Sequence, residues 1–173
     1  MADAMIDVDN LVKRYGSTLA VDRISFRIGR GEIVGFLGPN GAGKSTTMKI
    51  LTGFLKATGG SATVCGFDVG SRIIDVQRRI GYLPESAPAY QDMEVGAYLK
   101  FIAAMRGLWP RAARKAIDRV LDVTGLKPRW RFPVETLSRG YKQRVGLAAA
   151  MLHDPDVLID RKSTRLNSSH RIR

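Results

Sequence analysis

The stretch GPNGAGKST at residues 38–46 decides how this chain is read. It fits the phosphate-cradling pattern G-x-x-x-x-G-K-[ST] at Gly38, Gly43, Lys44 and Ser45. With Gly at about 7% of residues, four such matches arise by chance in well under about one in a hundred chains of this length. The flanks agree with it. Residues 32–37 (EIVGFL) are a short apolar run, predicted to be a buried strand, and residues 47–52 (TMKILT) predict a helix that stops near Gly53. Glycines let the loop turn its backbone N–H groups inward onto phosphate oxygens, and the helix N-terminus adds partial positive charge. Lys44 is placed to reach the β- and γ-phosphates and the Ser45 hydroxyl to ligate Mg²⁺. The loop therefore predicts nucleoside triphosphate binding.

Bulk composition narrows the class less. A chain of 173 residues holds one domain with a real core. Its 28 Lys and Arg against 16 Asp and Glu give a net charge of +12. Five of those cations (Arg161, Lys162, Arg165, Arg171, Arg173) follow Asp160. Without them and Asp160, 23 cations face 15 carboxylates, net +8. A basic surface suits an anionic nucleotide, a membrane face or RNA equally, so the charge selects none of them. The single cysteine, Cys65, has no internal disulfide partner and fits a reducing compartment. No basic-then-apolar leader follows Met1, and the longest apolar stretch, residues 145–152, is too short to span a bilayer. The expectation is a soluble chain, or one held at a membrane by a partner.

Taken in order, residues 4–30 alternate apolar and polar side chains, with turn residues at Gly16 and Ser17, and predict antiparallel strands. Tyr15 either offers its ring to a nucleotide base or is a half-exposed aromatic at a strand end. Residues 62–69 predict a further strand pair, 71–79 a short amphipathic helix capped by Ser71, and 80–83 a strand broken by Pro84. Residues 93–125 read as two helices separated by Pro110, with Val95, Leu99 and Ile102, then Ala116, Val120 and Val123, at helical spacing. Arg111, Arg114, Lys115 and Arg119 form a basic stripe, read as a solvated face before a nucleic-acid surface. The second organised stretch is LSRGY at 137–141, where Ser138 and Gly140 precede a run of helix formers, another helix N-terminus suited to an anion or simply a Ser cap. Residues 154–159 predict a turn running into a buried strand.

The two glycine loops and the segments joining them resemble the ATP-binding cassette (ABC) family, the ATPase subunits of ABC transporters, over about residues 5–159. The resemblance implies an α/β P-loop NTPase fold with a mostly parallel core sheet, an N-terminal antiparallel β subdomain and a helical subdomain at about 90–150. It makes 38–46 the Walker A loop, with Gly38, Asn40, Gly41, Gly43, Lys44, Ser45 and Thr46 binding ATP and Tyr15 stacking on adenine. It makes 137–141 the LSGGQ signature, whose Ser138 and Gly140 contact ATP held by the opposite subunit of a head-to-tail dimer. Two departures stand out: Arg139 and Tyr141 replace a Gly and the Gln of the signature, and Glu85, in GYLPE, stands where many members have a metal-linking Gln. Both resemble an exporter-type branch associated with drugs, lipids, polysaccharide or gliding motility. A carboxylate at Glu85 can still ligate Mg²⁺ alongside Ser45.

The family's strand at 157–159 continues with one more apolar residue and then Asp-Glu-Pro, the acids that hold Mg²⁺ and orient the attacking water. Here Asp160 arrives one position early, pointing to the opposite face of the strand, and Arg161 follows. DRKSTRLNSSH, residues 160–170, matches the in-frame translation of a common short-read sequencing adapter, so 160–173 reads as a non-native tail on a partial ATP-binding domain at 4–159.

The resulting expectation is an ATP-binding subunit that couples ATP and Mg²⁺ to export through a separate transmembrane permease, at the cytoplasmic face of the cell membrane, paired with a second ATP-binding subunit. Lacking those acids and the switch histidine, the chain as written is expected to be inactive. A soluble cassette ATPase acting on nucleic acid or ribosomes is the rival. Lys44 and Ser138 are only 94 positions apart (138 less 44), with no sustained heptads between them, which leaves no room for the long coiled coils of repair and chromosome members. An inert fragment is the third reading.

Overall fold

In a computed structural model, residues 4–84, 90 and 92–161 are described. The chain opens with two long antiparallel strands, β1 (Ala4–Tyr15) and β2 (Thr18–Gly29), turning at Gly16 and Ser17 as the alternation predicts. Asn10 and Arg23 take positive φ where the register slips, and the Asn10 N–H donates to Ser25 Oγ at 2.8 Å. Such bulges bend a twelve-residue ribbon over the core instead of leaving it flat. β3 (Gly59–Val64) pairs with the other edge of β1 and with β4 (Phe67–Asp68), giving the order β2-β1-β3-β4.

Between β2 and β3 lies α1 (Lys44–Leu51), which begins at the glycine loop and buries Thr47, Ile50 and Leu51. α2 (Ile73–Arg79) leads directly into β5 (Ile80–Leu83). Ser71 does not cap α2. Its N–H and hydroxyl both donate to Asp68 Oδ1, at 2.8 and 2.7 Å, so the preceding turn is closed by a carboxylate and the helix starts after Arg72.

Three helices follow: α3 (Val95–Met105), α4 (Pro110–Thr124) and α5 (Arg139–Met151), with short 3-10 turns at Lys127–Arg129 and Val134–Thr136. They surround their own core of Val95, Leu99, Ile117, Val120, Leu121, Leu126, Val145 and Leu152. The chain then returns as β6 (Val157–Asp160), parallel to β5 with Ile80 opposite Val157 and Leu83 opposite Asp160. A second core joins the sheets to α1 and α2 through Ile6, Val8, Leu11, Ile50, Leu51, Val64, Val76, Ile80 and Ile159. The helices thus form one apolar cluster and the strands with α1 and α2 another. This is an α/β arrangement with an antiparallel N-terminal layer and a parallel pair behind the glycine loop.

Two further expectations need correction. Residues 32–37 are neither a strand nor buried: Ile33 is fully exposed and Leu37 is 88% exposed. An apolar run becomes a strand only when a neighbour takes up its N–H and C=O groups, and no strand among the described residues pairs with it. From this segment Phe36 lies 5.6 Å from the Phe26 ring, and Glu32 Oε2 accepts from the Gly29 N–H at 3.0 Å. The other correction concerns α4, whose buried stripe is Ile117, Val120, Leu121 and Thr124, while Val123 is 65% exposed.

Candidate functional site

The loop at 38–46 hangs between the end of β2 and the start of α1. Gly41 and Gly43 have φ of +87° and +79°, the left-handed region in which an L side chain is strained. Gly43 sits at the N-cap of α1 and offers no side chain to cap it. The first N–H groups of α1, which no intrahelical carbonyl can satisfy, are therefore open to an external acceptor. Thr47 ties the helix to the loop: its N–H and hydroxyl donate to the Gly43 carbonyl at 2.8 and 3.1 Å.

Lys44 folds back across the loop. Its ammonium donates to the carbonyls of Gly38 (2.5 Å) and Pro39 (2.6 Å). The positive charge is thereby held over the loop rather than released into solvent, and an anionic group entering the loop meets an ammonium already in place.

Gly38, Asn40, Gly41, Gly43, Lys44, Ser45 and Thr46 all line one cleft of about 1650 Å³. Its opposite wall is built from β2 (Phe26, Ile28) and from residues 154–161. Asp160 lines this cleft together with Ile159, and it also borders the cleft beside Gly140, so the one-residue shift does not turn it away from the glycine loop. No group of three or more His, Cys, Asp or Glu is placed to hold a metal among the described residues. Mg²⁺ needs few protein ligands when phosphates supply the others, and the Ser45 hydroxyl is of the right chemistry. Glu85, the other predicted metal ligand, lies outside the described residues.

Tyr15 is not on the wall of this cleft. It ends β1 with its ring half exposed and the Lys13 ammonium 5.2 Å from its centroid. Ser138 and Gly140 also lie apart from the glycine loop. Ser138 is the N-cap of α5, its Oγ accepting from the Tyr141 N–H at 3.4 Å, and Gly140 lines a different cleft, beside Tyr82 and Leu83. Within one chain, the two loops do not share a cavity among the described residues.

The sequence reading missed how Tyr141 is held. The Arg129 and Arg144 guanidiniums lie 5.4 and 5.2 Å from its ring centroid, and Arg129 also covers Phe132 at 4.7 Å. Tyr141 and Arg144 are three apart on one helix, a readable pairing. Arg129 arrives from the 3-10 turn before it, which no periodicity signals. Arg119 does not belong to a solvated stripe either: it pairs with Asp154 and donates to the Met151 carbonyl at 3.1 Å, stapling α4 to the end of α5.

The comparisons with known proteins agree with this geometry. The chain is 37% identical over 156 residues to the Escherichia coli protein named "Probable multidrug ABC transporter ATP-binding protein YbhF", covering 90% of this chain and 27% of that protein. It is 37% identical to the Bacillus subtilis linearmycin resistance ATP-binding protein LnrL (90% and 50%) and 39% identical to the Burkholderia pseudomallei Nod factor export ATP-binding protein I (99% and 57%). The chain thus spans from about a quarter to just over half the length of the curated relatives it matches. Among solved structures, cbiO1 from Clostridium perfringens, described as part of the ABC transporter complex cbiONQ, superposes with a TM-score of 0.81 at 32% identity, covering 91% of this chain and 65% of that one. The sequence profile described as ABC transporter matches residues 21–160, from β2 through the glycine loop and the signature helix to β6, and the chain belongs to that family.

Proposed function

We propose that the protein from which this chain comes is the ATP-binding subunit of an exporter, coupling ATP binding and hydrolysis to transport through a separate transmembrane permease. The observation that carries the reading is the Lys44 ammonium held over a loop with two positive-φ glycines that feeds an uncapped helix N-terminus. The relatives' printed names, multidrug, linearmycin resistance and Nod factor export, favour export over a nucleic-acid or ribosomal role.

In this reading Lys44 neutralises phosphate charge, the first N–H groups of α1 bind phosphate oxygens, and the hydroxyls of Ser45 and Thr46 complete the cradle, with Asn40 at its rim. Bound Mg²⁺ would supply further neutralisation of phosphate charge, with Ser45 and Glu85 as its protein ligands. Tyr15 packs against the adenine. Ser138 and Gly140 act on ATP held by a second ATP-binding subunit, which accounts for their separation from the loop of their own chain. The protein would then sit at the cytoplasmic face of the membrane, held by its permease. No helix among the described residues is long and apolar enough to cross a membrane by itself.

The domain covers residues 4–159, with the helical subdomain at about 90–150, and the native sequence departs from this one after Ile159, where the adapter-like stretch begins. Resequencing the source DNA across the Ile159 codon tests that point, and a genomic continuation into DRKST would refute it. For the chain as written, we expect saturable, Mg²⁺-dependent binding of a fluorescent ATP analogue that Lys44→Ala weakens about tenfold or more, with no phosphate release. Absence of saturable binding would refute the site. Phosphate release that Lys44→Ala abolishes would refute the inactivity.

A further inference from the structure

The corner between α3 and α4 carries a feature that ATP binding does not use. Trp109 is 82% exposed although its backbone is fixed: it is the N-cap of α4, followed by Pro110, and its carbonyl accepts from the Ala113 N–H at 2.7 Å. Leu108, beside it, packs against the helical core. Met105, at the rim of the neighbouring cleft, is 72% exposed. A large indole held outward on a well-anchored corner is not accounted for by core packing.

The adjoining helix face is basic. Arg111, Arg114 and Lys115 fall at i, i+3 and i+4, and all are exposed, while Ile117, Val120 and Leu121 occupy the buried face. None of the three cations forms an ion pair among the described residues, whereas Arg119, one turn further along, is paired with Asp154. Residues 105–117 contain four cations and no carboxylate, the next acid being Asp118. Arg106 differs from the other three, since its guanidinium donates to the Gln77 carbonyl at 3.1 Å and belongs to the fold.

We propose that this corner is a docking surface for an anionic phospholipid bilayer. The amphipathic indole of Trp109 enters the headgroup layer, where such rings are favoured, and Arg111, Arg114 and Lys115 lie along the negatively charged surface. Charge complementarity selects an anionic partner. An exposed indole is the kind of side chain favoured at the headgroup level, and the exposed Met105, at the rim of the neighbouring cleft, adds apolar surface.

The test is vesicle co-sedimentation of the chain with phosphatidylcholine alone and with phosphatidylcholine containing phosphatidylserine, together with tryptophan quenching by lipids brominated along their chains. Binding is expected to be at least about tenfold tighter to the anionic vesicles and to weaken about fivefold per cation removed in Arg111→Gln, Arg114→Gln and Lys115→Gln. Quenching is expected in the native chain and to disappear in Trp109→Phe, with Trp130 remaining as an internal control. The cations of residues 161–173 stay in every variant, so the differences isolate the corner. Circular dichroism checks that these exposed substitutions leave the fold unchanged. Equal binding to neutral vesicles, quenching that survives Trp109→Phe, or a single-stranded RNA that displaces the chain from vesicles through the same three cations would each overturn the proposal.

Discussion

The carbonyl oxygen of Ala20, in β2, lies 2.3 Å from where a side chain at Gly43 would place its Cβ. The phosphate loop is therefore pressed against the antiparallel layer, and Gly43 is fixed twice, by its φ of +79° and by that contact. Gly43→Ala should lower stability by about 2–4 kcal/mol, the sum of left-handed strain and forced backbone displacement. Gly41 has a similar φ, but a Cβ there would meet nothing within 4 Å, so Gly41→Ala should cost only about 1–2 kcal/mol. Urea denaturation of the two variants side by side checks the difference.

Lys44 should behave in the opposite way. Its two hydrogen bonds go to the exposed loop residues Gly38 and Pro39, so Lys44→Ala should change stability by no more than about 0.5 kcal/mol. Nucleotide affinity should fall about tenfold or more, since a charge-assisted contact to phosphate is lost. Isothermal titration with ATP and Mg²⁺, set beside a thermal melt, separates the two effects.

His153 gives the fold a pH dependence. Its Nε2 lies 3.1 Å from the Ile80 carbonyl, tying the end of α5 to β5, and its buried Nδ1 has no hydrogen-bond partner among the described residues. Burial first, then the charge of Arg106, lowers its pKa from the ordinary 6.5. The folded state therefore binds the proton less readily than the unfolded chain. The stability His153 supports is present above about pH 6.5 and is lost as pH falls through the lower folded value. Chemical denaturation at pH 8 and pH 5.5 should show a drop that His153→Gln largely removes.

Tyr141, with the Arg129 and Arg144 guanidiniums against its ring, should tolerate loss of its hydroxyl but not of its ring. Tyr141→Phe should be near neutral. Tyr141→Ala should cost about 1–2 kcal/mol for two partly exposed cation–π contacts, read from the midpoint of urea unfolding.

The helical core gives a further contrast. Leu99 is fully buried, so Leu99→Ala should cost about 2–5 kcal/mol. Val123→Ala, on the exposed face of α4, should stay within about 0.5 kcal/mol. Differential scanning calorimetry resolves effects of this size.

The glycine loop, both opening strands, the helix break at Pro110 and the Ser138 cap were legible because each rests on local chemistry: φ tolerance, period-2 alternation, a missing N–H, a side-chain acceptor. Residues 32–37 and Val123 depart from expectation for a common reason. Apolar character sets what a segment can bury, but the partner that buries it comes from elsewhere in the chain. Arg119 shows the same on the polar side, since nothing nearby in sequence announces Asp154 as its partner.

The sequence by itself determined that residues 38–46 form a glycine loop opening onto a helix, since spacing and glycine content encode that backbone directly. Only the tertiary structure decided that Ala20 closes on Gly43, that two arginines lie against the Tyr141 ring, and that the signature helix faces a different cleft from the loop of its own chain. These relations join residues distant in sequence, and they exist only once burial of the two cores has fixed where each element lies.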